Sequence, residues 1–146
     1  MISPELLQAG IIAKLKADSA LVAWLTARSA GNEIRENQWQ GRQFIYPAVR
    51  VDLLPQTETG NPPCYSQSLF NVFAFAEGDS SKDCAILAGL IDSALIRKKF
   101  SGTGFGSGLV ITLGTVPPIR TAERIWQALG QYQTNLYGGN FDAPQA

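Results

Sequence analysis

Asp79 and Asp83 stand four residues apart with Glu77 close by, and Glu33 and Glu36 flank Arg35. Carboxylates at such spacing can share a proton or hold a hard cation. The local context argues for a plainer use. Asp79-Ser80-Ser81 reads as the cap of a helix and Asp83 as part of its first turn, where negative charge complements the free amides. Glu33, Arg35 and Glu36 read as a solvated segment. The loop spacing of a calcium site is absent. No histidine occurs in 146 residues, so a Ser-His or Cys-His nucleophile pair is excluded, as is an imidazole acid or base. No catalytic residue, metal site or cofactor is expected, and the chain is not expected to be an enzyme.

The remaining reactive or ligand-binding residue types resolve the same way. Cys64 and Cys84 fall in a loop-to-strand junction and a helix, without a Cys-x-x-Cys pair, and read as buried reduced thiols. Gly102, Gly104, Gly106 and Gly108 follow a helix and precede a strand, the reverse of a dinucleotide loop, and no Gly-Lys-Ser/Thr ending follows. They read as a flexible connector. Arg97-Lys98-Lys99 falls at a helix end, where cations complement the carbonyl pole. Net charge is zero and the basic residues are scattered, so phosphate-backbone binding has no stripe to rest on.

The elements that must position these residues follow from periodicity. Ser3-Pro4-Glu5 marks a helix start, Leu7, Ile11 and Leu15 recur at helical spacing, and Asp18-Ser19 offers a second cap. The segment from Pro4 to about Thr26 is therefore one broken helix or two consecutive ones. Glu33–Glu36 reads as a short edge strand. Val49, Val51 and Leu53 alternate with Arg50 and Asp52, a half-buried strand with Pro47 at its start. A non-periodic loop spans Pro55 to Cys64. The next strand, Tyr65–Ala76, is apolar on both faces: Phe70, Val72, Ala74 and Ala76 on one, Leu69, Phe73 and Phe75 beside Asn71 on the other. One face needs a second layer or a neighbouring subunit. Cys84, Leu87, Ala88, Ile91 and Leu95 define a helix from Ser81 to Lys99. Leu109–Thr115 is a strand stopped by Val116-Pro117-Pro118. Ile125–Tyr137 alternates Trp126, Ala128, Tyr132, Thr134 and Leu136 against Gln127, Gln131, Gln133 and Asn135. Its length predicts a bend over two sheet regions or a projecting arm.

The expected fold is one α+β domain spanning residues 1–139, followed by a flexible tail at 140–146. It has an antiparallel sheet of about four to five strands, packed by the N-terminal helical segment and one central helix. Charged residues are 16 % of the chain, against about 25 % for an average soluble protein. Beyond Phe100 only Arg120, Glu123, Arg124 and Asp142 carry charge. Such a surface predicts contact with other subunits. The N-terminus lacks a signal-peptide layout, and no apolar run is long enough for a membrane span.

The order of elements resembles the tail terminator, or tail completion, proteins of long-tailed bacteriophages. The likeness is carried by the opening Leu6-Leu7-x3-Ile11-x3-Leu15 helix with its Asp18-Ser19-Ala20-Leu21 continuation, and by Tyr46-Pro47-Ala48-Val49-Arg50-Val51. It continues through the Ser68–Ala76 strand, the Ala85-Ile86-Leu87-x2-Leu90-Ile91-x2-Ala94-Leu95 helix and the Trp126–Leu136 alternation. The resemblance implies a homo-hexameric ring in the virion neck, assembled in the bacterial host cytoplasm. The ring caps the tail tube, ends tube polymerisation and meets the head connector or stopper protein. A sheath protein is a further partner if the tail contracts, and DNA only passes through the lumen. On that reading Leu69, Phe73 and Phe75 fall in the subunit contact, with Gln131 and Gln133 near a neighbour or the lumen. The alternatives are another head–tail joining protein (adaptor or stopper), a tail-tube subunit or, in a different class, a small-molecule-binding regulatory α+β domain.

Overall fold

The computed structural model describes residues 3–28, 33–36, 46–58 and 66–138. Cys64 and the tail lie outside them. Two consecutive helices open the chain, α1 (Pro4–Lys16) and α2 (Ser19–Ala27). Asp18 sets the break between them: its carboxylate accepts the Leu21 amide at 2.9 Å, the bond an N-cap makes. Ser3 does not cap with its side chain as expected. Its carbonyl accepts the Leu7 amide at 2.9 Å instead, and Pro4 has no amide to satisfy.

The strands β1 (Ile34–Glu36), β2 (Ala48–Leu53), β3 (Thr57–Glu58) and β4 (Ser66–Glu77) precede α3 (Lys82–Leu95). After it come β5 (Ser101–Gly102), β6 (Phe105–Ser107), β7 (Ile111–Ala122) and β8 (Ile125–Gly138). All eight strands belong to one sheet, ordered β1-β2-β4-β8-β6-β5, with β3 added to β4 and β7 added to β8. The α+β expectation holds, while the sheet is larger than four or five strands. It is also mixed, because β1 runs parallel to β2.

Two expectations fail for reasons of position, and a third is narrowed. The glycine-rich segment is not a connector: β5 and β6 form a small hairpin whose Phe105 is buried. Pro117-Pro118 does not end a strand, since β7 runs through it to Ala122. In the sheet β7 pairs with β8 alone, and a proline is tolerated where its missing amide faces no partner. Of the two outcomes expected for the long strand β8, the projecting arm is set aside, since the strand is paired along its length. It pairs with β4 over twelve residues, from Ser66↔Leu136 to Glu77↔Ile125, and with β6 and β7 on its other side.

One sheet face carries the core. Val49, Val51, Phe70, Val72, Ala74, Ala128 and Tyr132 are all buried there against Leu7, Ile11, Leu21, Leu25, Leu87, Ile91 and Leu95 of the helices. α3 lies over β4 and β8, and α1 over β1, β2 and β5. Phe70 stacks on Tyr132 at 5.6 Å between centroids and meets Phe100 edge-on at 6.4 Å. Phe100 meets Phe105 in the same way at 6.0 Å. This aromatic column ties the β5–β6 hairpin to the sheet centre.

Candidate functional site

The acidic residues do not converge. Asp79 pairs with Arg124, and Asp83 lies 3.8 Å from Arg28. No cluster of three metal-ligating side chains occurs among the described residues. Glu33 is buried rather than solvated, within 3.7 Å of Arg35. Arg97, Lys98 and Lys99 lie beyond α3's C-cap residue, Ile96. There the Arg97 amide donates to the Val110 carbonyl and the Lys98 carbonyl accepts the Val110 amide, and none of the three cations lies in the last turn of α3 itself. No described helix is long and apolar enough to cross a membrane.

Cys84 is buried, and its thiol donates to the Ala74 carbonyl at 3.4 Å. Burial pushes its pKa from 9.0 up to about 11, and only the thiolate is a competent nucleophile. In a Cys64→Ser background, a thiol reagent at neutral pH is expected to leave folded Cys84 unmodified and to label it fully once denaturant is added. Between pH 9 and 11 the native state holds a proton that the unfolded state has lost. Stability therefore falls as pH rises through that window, by on the order of 2 kcal/mol, measurable as a falling denaturation midpoint. Tyr132 moves in the same direction at higher pH. Burial raises its pKa, and the neighbouring Asp92 carboxylate raises it further while accepting its hydroxyl at 3.2 Å.

The sheet face turned away from the helices has a different character. Ladder register places Arg50, Phe73, Leu129 and Val116 in one row, from β2 across β4 and β8 to β7. The row Asp52, Asn71, Gln131 and Gly114 lies beside it, followed by Leu69, Gln133 and Ile111. On the other side Phe75 and Gln127 continue to Ile119. The five residues singled out from sequence, Leu69, Phe73, Phe75, Gln131 and Gln133, thus share this face, and each is half-buried. Phe73 and Phe75 stack at 6.1 Å. The Arg50 guanidinium lies 4.4 Å from the Phe73 ring centroid and is held by Asp52 at 3.0 Å. Asn71 Oδ1 is shielded from solvent without a hydrogen-bond partner among the described residues, which leaves an acceptor free on this face.

Sequence reasoning missed a row of exposed apolar side chains among the described residues. Leu109, Ile111, Leu113, Val116 and Ile119 are each between 44 % and 54 % exposed, all in or beside β7. The available signal was the shortage of charge after Phe100, which has its location here. The β7–β8 turn is anchored to the loop after β4: the Gly78 amide donates to the Arg124 carbonyl at 2.8 Å, and Trp126 Nε1 donates to the Gly78 carbonyl at 3.1 Å. The hairpin is therefore pinned at its tip, while its outer edge pairs with no other strand among the described residues.

These features define an α+β fold whose second sheet face mixes aromatic, aliphatic, amide and charged side chains and whose edge strand β7 is largely apolar. The same fold occurs in a chain from a solved structure described as the virion of a native gene transfer agent particle. That chain is 14 % identical, with a TM-score of 0.68 over 92 % of this chain and 96 % of the other. A second solved chain, whose name states no function, is 13 % identical with a TM-score of 0.63 over 93 % of this chain and 96 % of the other. No protein-family profile and no curated protein matches the sequence.

Proposed function

We propose that this protein is a phage-type virion component without catalytic activity, and that it acts as the ring-forming terminator of the tail tube. The observation that carries the reading is the apolar, charge-poor surface running from Leu69, Phe73 and Phe75 onto β7. A surface of this kind suits a subunit whose work is done by contact. Likeness in fold to a chain of a gene transfer agent virion, over nearly the full length of both, supports a virion role. The order of helices and strands supports the terminator among such roles.

On this reading the chain closes a ring of about six copies by head-to-tail contacts, each joining two different patches. The ring caps the last tube layer, meets the head connector or stopper, and engages the sheath where the tail contracts. Leu69, Phe73 and Phe75 lie in the subunit contact, with Gln131 and Gln133 beside them. DNA passes through the lumen without sequence readout, consistent with zero net charge.

Native mass spectrometry with negative-stain imaging tests the proposal, on the protein alone and with purified tail tubes. A closed ring that shortens or caps tubes is the expected result. Open-ended cylinders would instead identify a tube subunit. A protein that stays monomeric and leaves tube length unchanged would overturn the reading. Phe73→Asp and Phe75→Asp place a charge at the subunit contact, and each is expected to abolish rings while keeping the far-ultraviolet circular dichroism of the fold. Full rings from both variants would remove these residues from the contact.

A further inference from the structure

We infer that β7 is the surface that one subunit presents to the next, and that the groove between α1 and the β2–β3 segment of a second copy of this chain receives it. This rests on the ring reading above and names its two complementary patches.

The five exposed apolar residues in and beside β7 leave on the order of 400 Å² of accessible surface, half of the roughly 800 Å² that each partner contributes to a standard interface. The contiguous outer-face residues and the strand backbone can supply the remainder. The way β7 makes contact follows from its irregularity. Its pairing with β8 shifts register three times, between Thr112 and Gly114, Val116 and Ile119, and Arg120 and Ala122. The longest regular stretch is Gly114–Val116, and Pro117 and Pro118 donate no amide. Bulges and prolines on an edge block the addition of another strand. The contact is therefore made by side chains rather than by extending the sheet.

The receiving groove lies at the other end of the sheet. β7 is attached to β8, while β2 lies beyond β4 on the opposite side. The groove has a volume of about 1190 Å³, walled by Ala9, Ile12 and Ala13 of α1, by Leu53 at the end of β2 and by Leu54 and Pro55 after it. Glu5, Lys16 and Glu36 also line it, a net charge of one negative, and the only charged residue in β7 is Arg120. Apolar side chains thus meet a largely apolar wall, and the lone cation meets a lining in which two carboxylates outnumber one ammonium. Patches at opposite ends of one subunit repeat head to tail, which is the requirement for a closed ring. Contact of β7 with its own copy would stop at a dimer.

Two measurements test this. Ile119→Asp and Ala13→Arg alter exposed positions on the two patches, and native mass spectrometry of each should show rings lost with the circular dichroism spectrum retained. Independently, Ile119→Cys and Ala13→Cys are combined in a Cys64→Ser background and treated with a short bis-maleimide. The double variant should give a covalent ladder rising to the full ring, and each single variant should give none. If Ile119→Asp does not fold, Ile119→Ser replaces it, and the cross-linking result stands by itself. Rings from both charge variants, dimers from Ile119→Cys alone, or no ladder from the double variant would overturn the assignment and leave the ring reading intact. Rings that persist but no longer cap tubes would overturn it too, moving β7 to the tube contact. A wild-type protein that forms no ring, alone or on tube ends, would overturn both.

Discussion

Phe70→Ala is expected to lower the unfolding free energy by about 3–5 kcal/mol, measured as a shift in the denaturant midpoint at constant slope. Phe70 is fully buried and sits at the junction of the aromatic column, stacked on Tyr132 and edge-on to Phe100. Its strand, β4, is paired on both sides, to β2 and to β8, so the backbone cannot move to close the void. Removing the ring takes away transfer free energy and leaves a cavity facing two aromatic neighbours. Against a typical total of about 5–15 kcal/mol, that loss leaves a marginal fold. A loss below 1 kcal/mol would mean that Phe100 or Tyr132 moves to fill the space.

Gly130→Ala should also destabilise, by about 1–3 kcal/mol, the range for an overpacked core. The sign is the informative part, because alanine in a strand interior is ordinarily better than glycine by roughly 0.5–1 kcal/mol. Here a Cβ at residue 130 would lie 2.6 Å from the Tyr132 hydroxyl and within 2.9 Å of two of its ring carbons. That ring is not free to swing away. It is stacked on Phe70 and hydrogen-bonded to Asp92, so the methyl must break one or both contacts. In a Tyr132→Ala background the obstruction is gone, and Gly130→Ala should become neutral or stabilising. A double-mutant cycle over the two positions measures this coupling. Additive effects would show that the ring is mobile.

Much of the fold was legible because its signals are local. Pro4, Asp18 and the apolar steps of Cys84, Leu87, Ile91 and Leu95 mark helices through caps and periodicity, and those helices formed within a few residues of their expected bounds. The alternation of Val49, Val51 and Leu53, and of Trp126 to Leu136, marked strands with one buried face. The failures were cases in which residue type and location compete. Pro117-Pro118 ends a central strand but not an edge strand, and four alternate glycines resemble a linker until Phe105 is drawn into the Phe100 ring. Thirteen alternating residues allow either a bend or a projecting arm, and only the pairing of β4, β6 and β7 along them decides against the arm.

The candidate surface divides along the same line. Sequence alone determined that this chain lacks the side chains for histidine-dependent chemistry, that charge is scarce in its last third, and that Leu69, Phe73 and Phe75 share a strand face, because composition and period-two alternation are properties of the chain itself. Tertiary structure alone decided that the face continues through Leu129 to Val116 and Ile119, that β7 has an open edge, and that an apolar groove lies at the far end of the sheet. Those facts depend on which strands become neighbours and in what register. Strand order is set by the packing of three helices on one side of the sheet, through contacts between residues far apart in sequence, and no local pattern encodes it.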